Sequence, residues 1–232
     1  MCELCVAPSR HGLSRRGLFG VVGAALAVAA AGPAPESSIT GDAALSRLME
    51  GHARYRSNQT HVRDYSVGRA ARVTTHRPIA SILSCSDARV GPEFIFDQSP
   101  GDLFVVRVAG NILQDEGLAS LEYAARFLGS PLIFVMGHSQ CGAIDAAIKV
   151  VKDNASLPGH LPGLIDQLKP SVLAAQQTHP TDLLNAAIAE NVRRTTRAVT
   201  TAQPVLADMI ANGKVKVAGG VYDIASGKIT TV

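Results

Sequence analysis

Residues 79–89 read IASILSCSDAR and decide the fold class. Residues 79–84 are apolar or small without a polar alternation, which is typical of a strand buried on both faces. The apolar character ends at Cys85, and a polar loop with Asp87 and Arg89 follows. A buried strand that ends in a polar loop is the repeating unit of α/β proteins, because their ligand-binding loops leave the carboxyl ends of strands.

Three further apolar runs, at residues 103–108, 132–136 and 214–218, are also predicted to be strands. Helical patterns alternate with these runs, which predicts a mainly parallel four-stranded sheet flanked by helices. A last short strand at residues 228–232 is expected to pair antiparallel at an edge. The predicted helices are one that Thr40 caps, then residues 116–128, 141–152, a stretch from residue 161 that Pro170 breaks, 181–196 and 204–212.

The composition excludes several classes of protein. The chain has 232 residues, of which 47% are hydrophobic and 18% charged, and this is enough apolar material for one folded domain. Its net charge is only +3, there is no tryptophan, and aromatic residues make up 4%. A nucleic-acid partner is therefore not expected, since such proteins carry basic patches and aromatic stacking platforms.

The N-terminal segment has the layout of an export signal. Arg15 and Arg16 precede an apolar run of 14 residues, 18–31, that ends in small residues. The paired arginines resemble a twin-arginine motif, which predicts a periplasmic or extracellular protein. The run is shorter than the roughly 20 residues of a membrane span, so no stable membrane partner is expected, although an uncleaved leader that anchors the protein is an alternative. The expected division is an export signal at 1–31, a linker at 32–39 and a catalytic domain at 40–232.

The four cysteines fall into two pairs. Cys2 and Cys5 have the spacing of half a zinc knuckle, but they lie within the predicted leader and are interpreted as incidental. Cys85 and Cys141 lie in the apolar, periodic part of the chain. They are far apart in sequence, so their pattern does not indicate a local disulfide.

Cys85 follows the first strand, and a second polar loop, which contains His138 and Cys141, follows the strand at 132–136. If the two strands are neighbours, the three side chains meet at one edge of the sheet. Two thiolates and one imidazole suit Zn²⁺, and three protein ligands leave a fourth position open, as in catalytic zinc sites. For any one of these residues alone, a buried core thiol or a satisfied loop histidine would be the favoured interpretation.

Asp87 and Arg89 lie two and four residues after Cys85. A carboxylate so close to a metal thiolate would either ligate the metal or accept a proton from its bound water. A bidentate pair with Arg89 would keep Asp87 ionised and oriented. An ordinary loop ion pair is the alternative interpretation.

The pattern C-x-D-x-R followed by H-x-x-C resembles the β-class carbonic anhydrases, and the resemblance extends over about residues 40–232. Further matching segments are Pro92-Glu93, Phe96-Asp97, 101–107, Gly110-Asn111, 120–124 and 137–139. The resemblance implies one Zn²⁺ per subunit, held by Cys85, His138 and Cys141, and a homodimer or a dimer of dimers. It also implies an active-site dyad of Asp87 and Arg89.

By the same resemblance, CO₂ and bicarbonate are the ligands of a narrow apolar pocket lined by Phe104, Ala109, Tyr123 and Gly142. His76 stands where the family often has a glutamine that contacts bicarbonate. Simple core packing for the pocket residues, and a surface position for His76, remain alternatives. Ile82 replaces a tryptophan that some members use in bicarbonate inhibition, which predicts an open metal site with Asp87 off the metal at neutral pH.

The function implied is the reversible hydration of CO₂ to bicarbonate and a proton by zinc-bound hydroxide, assisted by the Asp-Arg dyad. Three alternatives stay open. The same site could hydrolyse CS₂ or COS, the chain could bind zinc without catalysis, or Cys141 could be the nucleophile of a Cys-His hydrolase.

Overall fold

A five-stranded sheet organises residues 39–232, the part of the chain that this computed structural model describes. The order is β2-β1-β3-β4-β5, in which the first four strands are parallel and β5 pairs antiparallel with β4. The predicted α/β fold is thus confirmed. The strands are β1 (Ala80–Ser84), β2 (Leu103–Arg107), β3 (Leu132–His138), β4 (Lys216–Tyr222) and β5 (Ile229–Thr231). The predicted export signal, with Cys2 and Cys5, lies outside the described residues.

Seven α-helices connect and cover the strands of the described part. Thr40 caps the first one as expected, because its side chain accepts a hydrogen bond from the Ala43 N–H at 3.2 Å. Gly129, in the left-handed conformation, ends the third. The helices are α1 (Gly41–Arg56), α2 (Pro92–Ile95), α3 (Asp115–Leu128), α4 (Gly142–Asp153), α5 (Leu161–Gln177), α6 (Leu183–Thr200) and α7 (Val205–Ala211), with short 3₁₀ turns at Ala71–Val73 and Ala109–Asn111.

The central strands β1 and β3 are buried on both faces of the sheet, which explains their unbroken apolar runs. Successive residues of β3 belong to different clusters: Phe134 packs with α1, α4 and α5, whereas Ile133 and Val135 pack with α3 and α7. Helix α6 contributes to both clusters, with Ile188 in the first and Val192 in the second. Among the described residues, no helix has the length and apolarity needed to cross a bilayer.

Two local predictions were wrong. Helix α5 continues through Pro170 instead of breaking there. A proline costs the helix one hydrogen bond, but Leu168 and Val172 on either side are fully buried, and their packing holds the helix together. Strand β4 begins two residues late and extends to Tyr222. The extension was not predicted because glycine is uncommon inside strands. At Gly219 only glycine fits against α6, since a Cβ there would lie 2.6 Å from Thr196 Oγ1.

A buried carboxylate fixes the segment between α1 and β1. The side chain of Asp97 is 1% exposed and forms ion pairs with Arg54 of α1, at 2.6 Å, and with Arg63. The backbone N–H of His61 also donates to it, at 3.3 Å. Asp97 therefore ties residues 61–63 to α1 and to the end of α2.

Candidate metal centre

The two polar loops meet because β1 and β3 are neighbours in the sheet. Ser84 pairs with Met136 in the parallel register, so both strands present their carboxyl ends at the same edge. Cys85 directly follows β1, His138 is the last residue of β3, and Cys141 precedes the first residue of α4. The topology thus brings together the three residues that the sequence singled out.

The side-chain donor atoms of Cys85, His138 and Cys141 all lie within 4.8 Å of one another. The three residues are 5%, 1% and 2% exposed. Nδ1 of His138 lies 2.8 Å from the Ser139 carbonyl oxygen. Since a carbonyl only accepts, Nδ1 carries a proton, and in the neutral imidazole Nε2 then has a free lone pair. Nε2 is buried without a hydrogen-bond partner among residues 39–232, which is the state of a histidine prepared to bind a metal.

The two thiols are free, with no disulfide between them. A hydrogen bond from Cys141 lowers the pKa of Cys85 to about 4, and the Gly110 N–H, 3.3 Å from the Cys85 sulfur, contributes to this shift. The same bond raises the pKa of Cys141. Burial is the largest single influence on the pKa of His138 and lowers it, but the nearby Cys85 side chain, the Ser139 carbonyl and the Asp87 charge together raise the net pKa. The Cys85 sulfur is therefore readily ionised, and a thiolate is the form of cysteine that binds a metal.

Two sulfur donors and one imidazole nitrogen, all buried, suit a borderline-soft divalent ion such as Zn²⁺. Three ligands from the chain leave a coordination position for a non-protein group. The donor set therefore fits the cofactor that the sequence implies, and it also fits an open site rather than a closed structural one.

Asp87 lies beside this cluster, paired with Arg89. The Arg89 side chain donates from Nε to Oδ1 at 2.9 Å and from Nη2 to Oδ2 at 2.7 Å, and its backbone N–H also donates to Oδ1, at 2.9 Å. The hydrogen bond from the Arg89 side chain holds the pKa of Asp87 well below its usual range. Oδ2 of Asp87 is 3.9 Å from Nε2 of His138. The structure thus places an ionised, oriented carboxylate next to the candidate ligands.

Two contacts of this loop were not predicted. Arg107, at the end of β2, donates to the carbonyl oxygens of Cys85 at 3.0 Å and of Asp87 at 2.5 Å. The N–H of Gly110 donates to the Cys85 sulfur. A charged residue at the end of an apolar strand is the sequence signal that could have indicated the first contact. The second depends on a backbone conformation for which the sequence carries no local signal beyond the glycine itself.

The five predicted pocket residues fall into two groups. Ala109 adjoins Gly110, and Gly142 is the exposed first residue of α4, next to Cys141. The other three form an aromatic row along the edge of the sheet: the ring centroids of His76 and Phe104 are 6.2 Å apart, and those of Phe104 and Tyr123 are 6.4 Å apart. His76 is exposed, and Tyr123 is 37% exposed. Their roles as pocket residues remain predictions.

Comparison with known proteins agrees with this geometry. The family model for carbonic anhydrase matches residues 80–229. Carbonic anhydrase 2 of Mycobacterium tuberculosis is 33% identical over 187 residues, which are 80% of this chain and 90% of that protein. The structure of the β-carbonic anhydrase CcaA is 29% identical, with a TM-score of 0.62, over 81% of this chain and 94% of that chain. A structure from Sordaria macrospora, described among two tetrameric β-carbonic anhydrases, is 25% identical, with a TM-score of 0.65, over 82% of this chain and 95% of that chain. The chain therefore belongs to the carbonic anhydrase family and has the β-class fold.

Proposed function

We propose that this protein catalyses the zinc-dependent, reversible hydration of CO₂ to bicarbonate and a proton. The observation that carries the proposal is the buried cluster of Cys85, His138 and Cys141, with an unpartnered imidazole nitrogen, beside the ionised carboxylate of Asp87. Family membership and fold support the same reaction.

Cys85, His138 and Cys141 would hold the metal through two sulfurs and Nε2 of the imidazole. When bound, Zn²⁺ would supply the Lewis acidity that lowers the pKa of a water molecule towards neutral values. The Ser139 carbonyl fixes the histidine tautomer that leaves Nε2 free to bind. The thiolate charge would also balance the charge of the cation in this buried cluster.

Asp87 is proposed to orient the attacking water. Because both of its oxygens are held by Arg89, the carboxylate keeps one position and one charge state. It can accept a hydrogen bond from the water, and this turns a lone pair towards the carbon of CO₂. Asp87 acts from the site edge in this account and is not a metal ligand.

CO₂ has no charge and no permanent dipole, so an apolar surface is sufficient to hold it. Phe104, Ala109, Tyr123 and Gly142 are proposed to line that surface. His76 is proposed to donate a hydrogen bond to bicarbonate. The ring contacts that join His76, Phe104 and Tyr123 support a shared surface for the aromatic members of the set.

The proposed assembly is a homodimer or a dimer of dimers. The edge strand β2 is partly exposed, and the neighbouring Tyr123 and Phe127 of α3 are 37% and 42% exposed. A second copy that covers these rings would remove them from water. The tetrameric assembly named for the relatives from Sordaria macrospora supports this proposal. Light scattering of the purified protein measures the mass directly.

Export by a twin-arginine route is proposed from residues 14–31 alone. Substitution of Arg15 and Arg16 by lysine in the full chain tests this proposal. We expect the wild-type protein outside the cytoplasm and the double variant inside. Equal export of both chains would contradict the twin-arginine assignment.

The substrate is tested by stopped-flow assays of CO₂, COS and CS₂ on one preparation. We expect CO₂ to be converted with the highest kcat/KM. Faster release of sulfide from COS or CS₂ would assign the same site to those gases. A zinc-loaded protein that converts none of the three would instead be a binding protein.

A further inference from the structure

A chain of buried hydrogen bonds leads from helices α5 and α6 to the sulfur of Cys85. Ser171 of α5 donates from Oγ to Oδ1 of Asn191 at 3.2 Å, and Asn191 of α6 donates from Nδ2 to the carbonyl oxygen of Gly110 at 2.8 Å. The Gly110 N–H in turn donates to Cys85 Sγ at 3.3 Å. Ser171 and Asn191 are 1% and 3% exposed, so water does not compete for these bonds.

Gly110 has a backbone conformation that must be held in place. Its φ is 73° and its ψ is 16°, in the left-handed region, within the turn at Ala109–Asn111. A Cβ at this position would lie 2.9 Å from Leu168 Cδ1, so the turn also fits closely against α5. Glycine has the widest backbone freedom of all residues. The direction of its N–H therefore depends on what fixes the neighbouring peptide.

Asn191 supplies that restraint. The carbonyl of Gly110 only accepts, so the side-chain amide must turn its NH₂ towards the turn and its oxygen towards Ser171. The bond from Nδ2 fixes the peptide between Gly110 and Asn111, and with it the torsion angles of Gly110. The N–H on the other side of the same Cα then points at the Cys85 sulfur.

We propose that Asn191 is a positioning residue for the metal site. It holds Gly110 so that the N–H of this residue donates to the Cys85 thiolate and sets both the position and the electron donation of that ligand. This inference rests on the proposed function in one respect, since it requires Cys85 to bind a metal. Outer groups that orient a metal ligand typically change metal affinity by about 10–100-fold when they are removed.

The alternative is a purely structural role, in which Asn191 only fills space in the core between α5 and α6. Thr195 provides the comparison, because it lies one turn further along α6, is 6% exposed and donates from Oγ1 to the Asn111 carbonyl at 3.4 Å. Thr195→Val removes a buried hydrogen bond to the same turn without touching Gly110. General loosening of the turn would affect both variants alike.

The test uses the Co²⁺-substituted protein, in which the thiolate-to-cobalt charge-transfer bands report on the sulfur ligands. Asn191→Leu keeps a similar volume and removes the donor. We expect its charge-transfer band to shift and Co²⁺ to dissociate into a chelator about tenfold faster or more. Thr195→Val is expected to match the wild type in both measurements. If Asn191→Leu does not fold, Asn191→Ala removes the same donor and has the same expected results.

Three results would overturn the proposal. The first is an Asn191 variant with the wild-type spectrum and dissociation rate. The second is an equal change in Thr195→Val, which would indicate a structural role only. The third is a wild-type protein that binds Co²⁺ without thiolate bands, which would also overturn the proposed metal site. The first two results leave the proposed function intact, so the failures are distinguishable.

Discussion

The guanidinium group of Arg89 contacts both carboxylate oxygens of Asp87, with Nε 2.9 Å from Oδ1 and Nη2 2.7 Å from Oδ2. This bidentate pair lies next to the candidate ligands, because Oδ2 of Asp87 is 3.9 Å from Nε2 of His138. The carboxylate therefore has a fixed direction and remains ionised at neutral pH. A group with these properties is suited to orient a water molecule beside the cluster.

Asp87→Asn keeps the size of the side chain and removes its charge. We expect kcat/KM for CO₂ hydration to fall by about 100-fold or more, because a positioned acid or base typically contributes at least this factor. The metal content is expected to be unchanged, because Asp87 is not a ligand in this account. Stopped-flow kinetics and metal analysis on the same samples measure both quantities.

The control is Asp166→Asn, since Asp166 also pairs with a basic side chain, Lys169 at 2.7 Å, but lies on the exposed face of α5. It should retain the wild-type rate. If Asp87→Asn retains the wild-type rate as well, the proposed role of the carboxylate is wrong.

Cys141→Ser replaces one sulfur of the cluster by a harder oxygen donor. We expect the variant to fold and to bind less than about a tenth of the wild-type zinc, because zinc sites of this type depend on thiolate ligands. CO₂ hydration should fall in proportion to the metal content. Circular dichroism tests the folding and metal analysis tests the zinc content. The control is Ser86→Ala, which changes the exposed residue next to Cys85. Full zinc occupancy in Cys141→Ser would exclude this thiol as a ligand.

Asp97→Asn tests the buried ion pairs between α1 and residues 61–63. The side chain of Asp97 is 1% exposed, and those of Arg54 and Arg63 are 28% and 17% exposed. Removal of the carboxylate charge leaves two partly buried guanidinium groups without their partner. We expect a loss of about 3 kcal/mol in the free energy of unfolding, measured by urea denaturation.

The surface ion pair of Asp166 and Lys169 is the control for the measured loss of stability. Asp166→Asn should change the free energy of unfolding by about 0.5 kcal/mol or less, because exposed ion pairs contribute little. Equal effects of the two variants would mean that the Asp97 ion pairs are not stronger than a surface pair.

The buried ring of His52 is expected to make the packing of α1 sensitive to acid. Its ring is 4% exposed, and burial lowers its pKa although the contact with the Ile95 carbonyl, at 3.1 Å, opposes this shift. The unfolded chain takes up a proton below about pH 6.5 while the folded chain resists it, so stability falls as the pH decreases through this range. We expect His52→Leu to lose less stability than the wild type between pH 7.5 and pH 5.5.

Urea denaturation at the two pH values gives the comparison, and His160→Gln, at an exposed histidine, is the control. The relevant quantity is the difference between each variant and the wild type, because other groups also titrate. An identical pH dependence in His52→Leu and the wild type would remove His52 from this role.

The features that the sequence predicted are those with a local signal. The apolar run before Cys85 identifies β1, and the parallel order of the strands explains why His138 and Cys141 lie beside it. The path of α5 through Pro170 was not predictable, because packing on the core outweighs the local preference of proline. The contact of Asn191 with Gly110 joins residues 81 positions apart, and no periodic pattern encodes such a pair.

The central claim is that a metal held by Cys85, His138 and Cys141 supports CO₂ hydration. The direct test is to count zinc in the purified protein and to measure CO₂ hydration before chelation, after chelation and after zinc is restored. The account predicts about one zinc ion per chain, loss of activity with the metal, and recovery with added Zn²⁺. Undiminished hydration by the metal-free protein would contradict it.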